Sequence, residues 1–500
     1  MNITIFEKSD RIGGRTLTVN AFDDPLEPVE LGASIFVQVN HIMYSAAQRF
    51  GLSLGDMSTS EKGDLTAIWD GENIVFSSEK GTAWWWDAAR MFWKYGLAPY
   101  RAVNLVKSVV GTFLKLYEPP YFPFRSLTQR VYELGLQGAT GVTGEQFLAS
   151  NNIDAKFSRH ILQAATRVNY ASNLAHIHGL ETMVSFATDG AVAVDGGNWQ
   201  IFDRMVHYSG AAVCHNTSVQ SISLEKRRVL SRSPPKYLLS TAEGGALPTV
   251  FDNVIIATPW QFSNISAGVG VIRHRIDKIP YTKLHVTLFT SPFKLRAGFF
   301  GLEDGAKAPS SVYTTLRPGE EPKQGAEGVG STGFYSVSIL RTVLNPQTQK
   351  REYLYKIFSA EAVTPGFLED LLGAHVPKEF VGSASDGGDA SAVETISWYY
   401  PHWFHSYPIE LPRVTFQDPI LGDGLFYTSG IESFISTMET SALMGMNVAR
   451  LIADDARGLS RKLAGGGPRV MKNERPERED FFDSLGSELE GMMMMGPDEL

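Results

Sequence analysis

Cysteine is nearly absent. The single Cys214 in 500 residues excludes an internal disulfide and a cysteine-based zinc site. It lies in an apolar run, residues 211–219, that reads as a buried strand with the thiol as a small core group. Long apolar runs are missing too. None reaches the roughly 18 residues of a membrane-spanning helix. The best stretch, residues 100–117, is interrupted by Arg101, Asn104, Lys107 and Lys115. Positive charge is not in excess: 45 Lys and Arg stand against 54 Asp and Glu, a net charge of −9. The densest basic stretch, residues 226–232, reads as a short solvated turn, so no nucleic-acid partner is expected. His176 with His178, and His402 with His405, have no carboxylate at ligand spacing, so no metal is expected. No leader is visible, because Met1 runs straight into Ile3, Ile5 and Phe6.

What is present is a globular chain, 43% hydrophobic, 11% aromatic and 20% charged, long enough for several domains. Residues 41–60 carry apolar side chains at helical spacing. Residues 84–117 read as two helices broken near Gly96 and Pro99. Residues 125–190 read as mostly helical. A loop, a Gly-Gly turn and a helix follow at 191–206, then short strands to about 262. Residues 280–410 are strand-rich, with long loops near 302–330 and 381–392. A last strand and helix end near 457, and the charged, glycine-rich residues 460–500 read as a disordered tail. The aromatic group Trp84, Trp85, Trp86, Met91, Phe92 and Trp93 cannot share one helix face. It reads as core packing, with a lipid or prenyl site as the alternative.

The sharpest chemical signal is at the start. A short apolar strand, residues 3–6, ends in Glu7, where a carboxylate can bond a ribose diol. Arg11, Gly13, Gly14 and Arg15 follow. Paired glycines let a cofactor approach the backbone closely, and Arg15 can face its phosphate or ring side. Near the other end, Ser436 and Glu439 have the spacing of a capping box. That helix start would favour negative charge on a bound ring, with Gly430 to Glu432 passing beside it.

FEKSDRIGGRT resembles the second half of the FAD fingerprint of glutathione-reductase-like flavoproteins, including the amine oxidases. ELGAS at 30–34, VDGGNWQIFDRMV at 194–206, NTSVQSI at 216–222 and NVIIATP at 253–259 resemble further segments of that fold. RVNYASNL at 167–174, GGNWQIFDRM, and the segment 427–452 with its M-E-x-S-A are similar to the prenylcysteine oxidase family. The resemblance implies an α/β fold: a Rossmann-like FAD domain (1–40, 190–262, 420–457) intertwined with an α+β substrate domain (41–189, 263–419). It implies FAD held by Glu7, Arg11, Gly13, Gly14, Arg15, Gly32, Ala33, Val219, Gly430, Ile431, Glu432 and Met438. Tyr170, Tyr400 and His402 are the implied substrate-side residues, and no catalytic base is named.

The implied reaction oxidises a prenylated thioether with O₂, in a lysosomal, vacuolar or secretory setting. In such a setting the sequons at Asn216 and Asn264 become glycosylation sites, and the one at Asn2 does not. Members of this superfamily open with a strand and G-x-G-x-x-G that cradle the pyrophosphate. This sequence opens at the following strand. The expectation is a truncated start, a free edge on residues 3–6, and poor solubility and flavin retention. Two other readings are a related flavin amine oxidase, whose aromatic cage the run Trp398-Tyr399-Tyr400 could be mistaken for, and an inactive truncated product.

Overall fold

The computed structural model describes residues 2–56, 63–81, 84–188, 190–226, 234–303, 305–378 and 394–457. The predicted tail, the loop 381–392 and all of the basic stretch but Lys226 lie outside them.

A mixed seven-stranded sheet forms the largest layer. Its order is Trp398–Pro408, Tyr281–Ser291, Arg351–Ser359, Ser336–Leu344, Ser311–Thr314, Leu65–Trp69, Ile74–Glu79. The neighbours run antiparallel except Ser311–Thr314 with Leu65–Trp69, which is parallel. Its central strands are apolar on both faces because each face is covered. On one side Phe289, Tyr355, Ile357 and Val337 pack with Leu368 and Leu371. On the other, Leu284, Val286, Leu288 and Leu354 meet Ala21, Val29 and Leu31 from the N-terminal region.

A helical layer abuts this sheet. The break predicted near Gly96 is observed between Trp84–Tyr95 and Ala98–Phe113. Gly96, at φ +58°, supplies the left-handed turn and Pro99 sits in the first turn of the second helix. Val106, Val109, Val110 and Phe113 repeat at helical spacing and join one core with Met444, Val448 and Leu451 of the terminal helix Met438–Ala456. Buried Asn447 clamps that helix, accepting from Phe124 N at 2.7 Å and donating to its carbonyl at 2.8 Å.

Two sequence readings change here. The helix expected over 41–60 spans only His41–Arg49, because Gly51 at φ +64° ends it. The strand around Cys214 is Ala212–Cys214 and is half-buried rather than buried. It pairs in parallel with Thr4–Phe6, and the opening strand pairs with nothing else among the described residues. The parallel pair Val254–Ile256 and Leu425–Tyr427 belongs to a separate three-stranded sheet. Ile3 and Ile255 are 44% and 46% exposed on these two small sheets.

Candidate active site

Ligands of parallel sheets bind beyond the C-terminal strand ends, and the residues singled out from the sequence gather there. Glu7 follows the opening strand. One carboxylate oxygen accepts from Ser9 N at 2.9 Å and Ser9 Oγ at 2.8 Å. The other takes no hydrogen bond among the described residues and is open to a diol. Thr217 N donates to the Glu7 carbonyl at 2.9 Å, which sets Val219 and its strand Val219–Leu224 alongside.

The Gly-Gly turn comes next. Gly13 has φ +122°, and a Cβ there would lie 2.7 Å from Thr16 Oγ1 and 3.0 Å from Trp199 Cβ. A Cβ on Gly14 would meet no protein atom within 4 Å, so the close approach expected there from the sequence is one to a cofactor. Its φ of +57° alone calls for glycine. Arg11 braces the turn, donating to the carbonyls of Thr16 at 3.1 Å and Gly14 at 2.6 Å. Arg15 is turned elsewhere: it pairs with Glu432 at 2.8 Å and donates to the Ser406 carbonyl at 2.6 Å. Its charge is answered by a buried carboxylate, not held ready for phosphate. Gly13→Ala should therefore destabilise by about 1–3 kcal/mol, whereas Gly14→Ala should cost less; denaturant melts of the two variants compare them.

A second turn, Gly32 to Ser34, faces the first. A Cβ on Gly32 would lie 2.7 Å from Phe404 Cζ, and Ala33 adopts φ +52°. Three groups hold this strained turn. Asn198 Nδ2 donates to the Ala33 carbonyl at 2.8 Å. The Glu30 carboxylate accepts from Asn198 N at 2.6 Å and Thr18 Oγ1 at 2.9 Å. Lys356 Nζ donates to the Glu30 carbonyl at 2.7 Å and to Ser34 Oγ at 2.8 Å. Burial lowers the pKa of the Lys356 amine, against the pull of Glu30. Sequence reasoning passed over Lys356. The available signal was a lysine in the middle of the strand Arg351–Ser359, between Tyr355 and Ile357.

The strand Trp398–Pro408 supplies the substrate-side residues. Trp398, Tyr400, His402 and Phe404 form a ladder with ring centres 6.1, 6.4 and 5.5 Å apart. Burial and nearby Arg11 hold the His402 imidazole below its usual pKa. Tyr399 points to the opposite face from Trp398 and Tyr400, as strand alternation requires, so the three do not form a cage. A bulge between His405 and Pro408 returns Tyr407 to the cluster of Tyr400 and Phe404. Tyr170 packs on Tyr407 with ring centres 5.3 Å apart, so it reaches the site through Tyr407.

The C-terminal residues close the cleft. Gly430 lines a cavity of about 660 Å³ with Pro259, Trp260, Tyr281 and Tyr427. Ile431 is fully buried, and Glu432 accepts from Tyr281 Oη at 3.0 Å. Met438 opens the terminal helix and packs with Met43 and Ile201. The predicted capping box is shifted by one residue. Thr437 caps and Thr440 reaches back. Glu439 leaves its own helix and accepts from Ile42 N and Met43 N, both at 3.0 Å. A carboxylate at the free N–H groups of the helix His41–Arg49 is worth more than one at an already capped end.

The segments that resemble FAD contacts thus meet one another, Arg15 with Glu432 and the Gly32 turn with Arg15. Among the described residues, no glycine turn opens a helix at the end of Thr4–Phe6 or Val254–Ile256, where a pyrophosphate would lie. Gly328 to Gly333 spell G-x-G-x-x-G, a match that sequence reasoning passed over. They form a 3₁₀ segment whose carbonyls at Gly328 and Val329 accept from Arg167.

This architecture is the fold of the FAD-dependent amine oxidases. Cyclohexylamine oxidase from Brevibacterium oxydans superposes with a TM-score of 0.51 at 13% identity, over 90% of this chain and 93% of that one. The sequence narrows the class. Residues 78–463 match the family described as Prenylcysteine lyase, and the chain belongs to it. Farnesylcysteine lyase of Arabidopsis thaliana is 27% identical over 467 residues, covering 90% of this chain and 81% of its own. Prenylcysteine oxidase 1 of Bos taurus is 26% identical over 507 residues, covering 98% and 88%. Fold and family together make the chain a flavin-dependent oxidoreductase.

Proposed function

We propose that this protein is an FAD-dependent thioether oxidase of prenylcysteine. In the overall change, prenylcysteine, O₂ and water become cysteine, a prenyl aldehyde and H₂O₂. The family match over residues 78–463 carries this reading, and the cleft at the strand ends supports it. Bound flavin would accept a hydride from the prenyl carbon next to sulfur and pass the electrons to O₂. Glu7 would hold the ribose. Gly13, Gly14 and the Gly32 turn would admit the ring system, with Met438 at the helix start beside it. Lys356 would hold the Gly32 turn in place, and the ring ladder of Tyr400, His402 and Phe404 would line the substrate side.

The test is turnover of farnesylcysteine by the flavin-loaded chain, with farnesal and H₂O₂ measured against an alkylamine control. Aldehyde and peroxide from the thioether alone support the reading; oxidation of the amine alone overturns it. Glu7→Ala should release FAD on dialysis while leaving the thermal melt of the flavin-free protein in place. A variant that keeps stoichiometric FAD would remove Glu7 from the site. The vacuolar, lysosomal or secretory setting is part of the same proposal. Asn216 and Asn264 are exposed at turns with φ +50° and +56°, open to glycosylation there. A glycosidase-sensitive mass shift, lost in Asn216→Gln with Asn264→Gln, is the expected result.

A further inference from the structure

The helix Trp84–Tyr95 has an inner and an outer side. Tyr95 is 5% exposed, with its ring 5.3 Å from Phe157, and Met91 packs against the same core. Phe92, Trp93 and Leu97 point outward, 52%, 84% and 41% exposed. Three large apolar side chains exposed within six residues form a patch, which single scattered ones do not. The sequence reading of Phe92 and Trp93 as core packing is therefore corrected: helical geometry lets Met91 and Tyr95 take the core and turns Phe92 and Trp93 out.

Cations share this outer side. Arg90 donates to the Ser77 carbonyl at 3.2 Å and Lys94 to the Val75 carbonyl, so both lean over the strand Ile74–Glu79. That strand is the edge of the seven-stranded sheet. With Trp93 they line a groove of about 390 Å³ along it. Further cations lie near Lys94. Burial, then Lys156 and Arg90, lower the Lys94 pKa. Burial, then Lys94, Lys156 and Arg159, hold the neighbouring His160 down to about 4, with Asp70 the opposing charge. Exposed Arg101 lies one turn into the next helix. No helix among the described residues is long and apolar enough to cross a membrane.

We propose that this face, Phe92, Trp93 and Leu97 with Arg90, Lys94 and Lys156, lies on the surface of a bilayer containing anionic lipid. The aromatic and aliphatic side chains enter the headgroup boundary, and the cations meet lipid phosphates. Charge complementarity selects this occupant: an apolar patch with Arg90 and Lys94 along its flank complements an anionic interface and repels a second copy of itself. A protein that removes prenylcysteine from a membrane gains by working at its surface. That purpose rests on the proposed function; the binding itself does not.

The experiment is co-sedimentation of the full 500-residue chain with phosphatidylcholine vesicles, with and without phosphatidylserine, in the absence of substrate. Binding is expected to the anionic vesicles and to weaken with added salt. Lys94→Ala should lower the partition coefficient about fivefold. Phe92→Ser with Trp93→Ser should lower it about tenfold or more, at unchanged far-ultraviolet circular dichroism. Equal binding to neutral vesicles, no binding, or a folded double variant that binds like the parent would each overturn the proposal. So would a concentration-dependent dimer that the double variant abolishes, which would make the face a contact between copies. Loss of thioether turnover with vesicle binding intact would instead fall on the proposed function.

Discussion

Arg167→Ala is expected to destabilise the protein by about 4 kcal/mol or more, a large part of the roughly 5–15 kcal/mol that holds a domain folded. The guanidinium is fully buried and makes six hydrogen bonds. Nε and Nη2 donate to Thr314 Oγ1 at 3.1 and 2.9 Å. Nη1 reaches Asn173 Oδ1 at 2.9 Å and the Gly328 carbonyl at 2.8 Å. Nη2 also reaches the Val329 carbonyl at 2.8 Å and Thr332 Oγ1 at 3.0 Å. These acceptors join the helix Gln163–Tyr170 to the strand Ser311–Thr314 and to the segment Gly325–Thr332. Every acceptor is a neutral oxygen. Burial lowers the Arg167 pKa to about 10, which still leaves it charged at neutral pH. Truncation removes a donor from five buried acceptor groups, of which the Gly328 and Val329 carbonyls keep Asn173 and Thr332, and opens a cavity. Arg167→Lys should recover only part, since an ammonium has three donors and cannot span the fork. Urea melts of the three proteins check this, and a loss under about 1 kcal/mol for Arg167→Ala would deny Arg167 that role.

The second large effect is on pH dependence. His178, Glu181, Glu410 and Tyr170 form a buried cluster under the segment Ser429–Ser433. His178 Nδ1 accepts from Glu181 N at 3.0 Å, so the ring proton sits on Nε2, 3.6 Å from Glu410 Oε2. Ser436 N donates to Glu181 at 3.3 Å. Burial pushes the Glu181 carboxyl up to about 8, and burial and Glu181 together push Glu410 well above the usual range. In the unfolded chain a glutamate loses its proton near 4.5. Between that value and about 8 the native state holds the extra proton, so stability is full at the acid end and falls as pH rises. One such group contributes a slope of up to about 1.4 kcal/mol per pH unit. Glu181→Gln should flatten the fall in melting temperature between roughly pH 5 and 8. An unchanged slope would show that Glu181 is ionised in the native protein. His178 acts oppositely: burial holds it down to about 3, so its contribution disappears as pH falls below its ordinary value of 6.5.

The local features of the fold were legible because they are written in short stretches. Glu7 after an apolar strand, the Gly13-Gly14 turn, and the break at Gly96 and Pro99 follow from neighbouring residues alone. Burial was less legible. Phe92 and Trp93 read as core by composition, and only the helix phase against Tyr95 and Phe157 turns them outward. The strand Leu65–Trp69 went unread because it enters the sheet through Ser311–Thr314, about 245 residues away, and Ile74–Glu79 joins that sheet only through Leu65–Trp69.

The sequence by itself determined the family and the segments that meet at the cleft, because backbone turns, caps and strand ends are properties of a few consecutive residues. Tertiary structure decided the partners. Arg15 turns to Glu432 rather than outward, Glu439 caps a helix 397 residues distant, and Lys356 supports the Gly32 turn from another sheet. A charged group lowered into the interior takes whichever complementary atom the packing leaves within about 3 Å, and that choice lies between residues far apart in the chain.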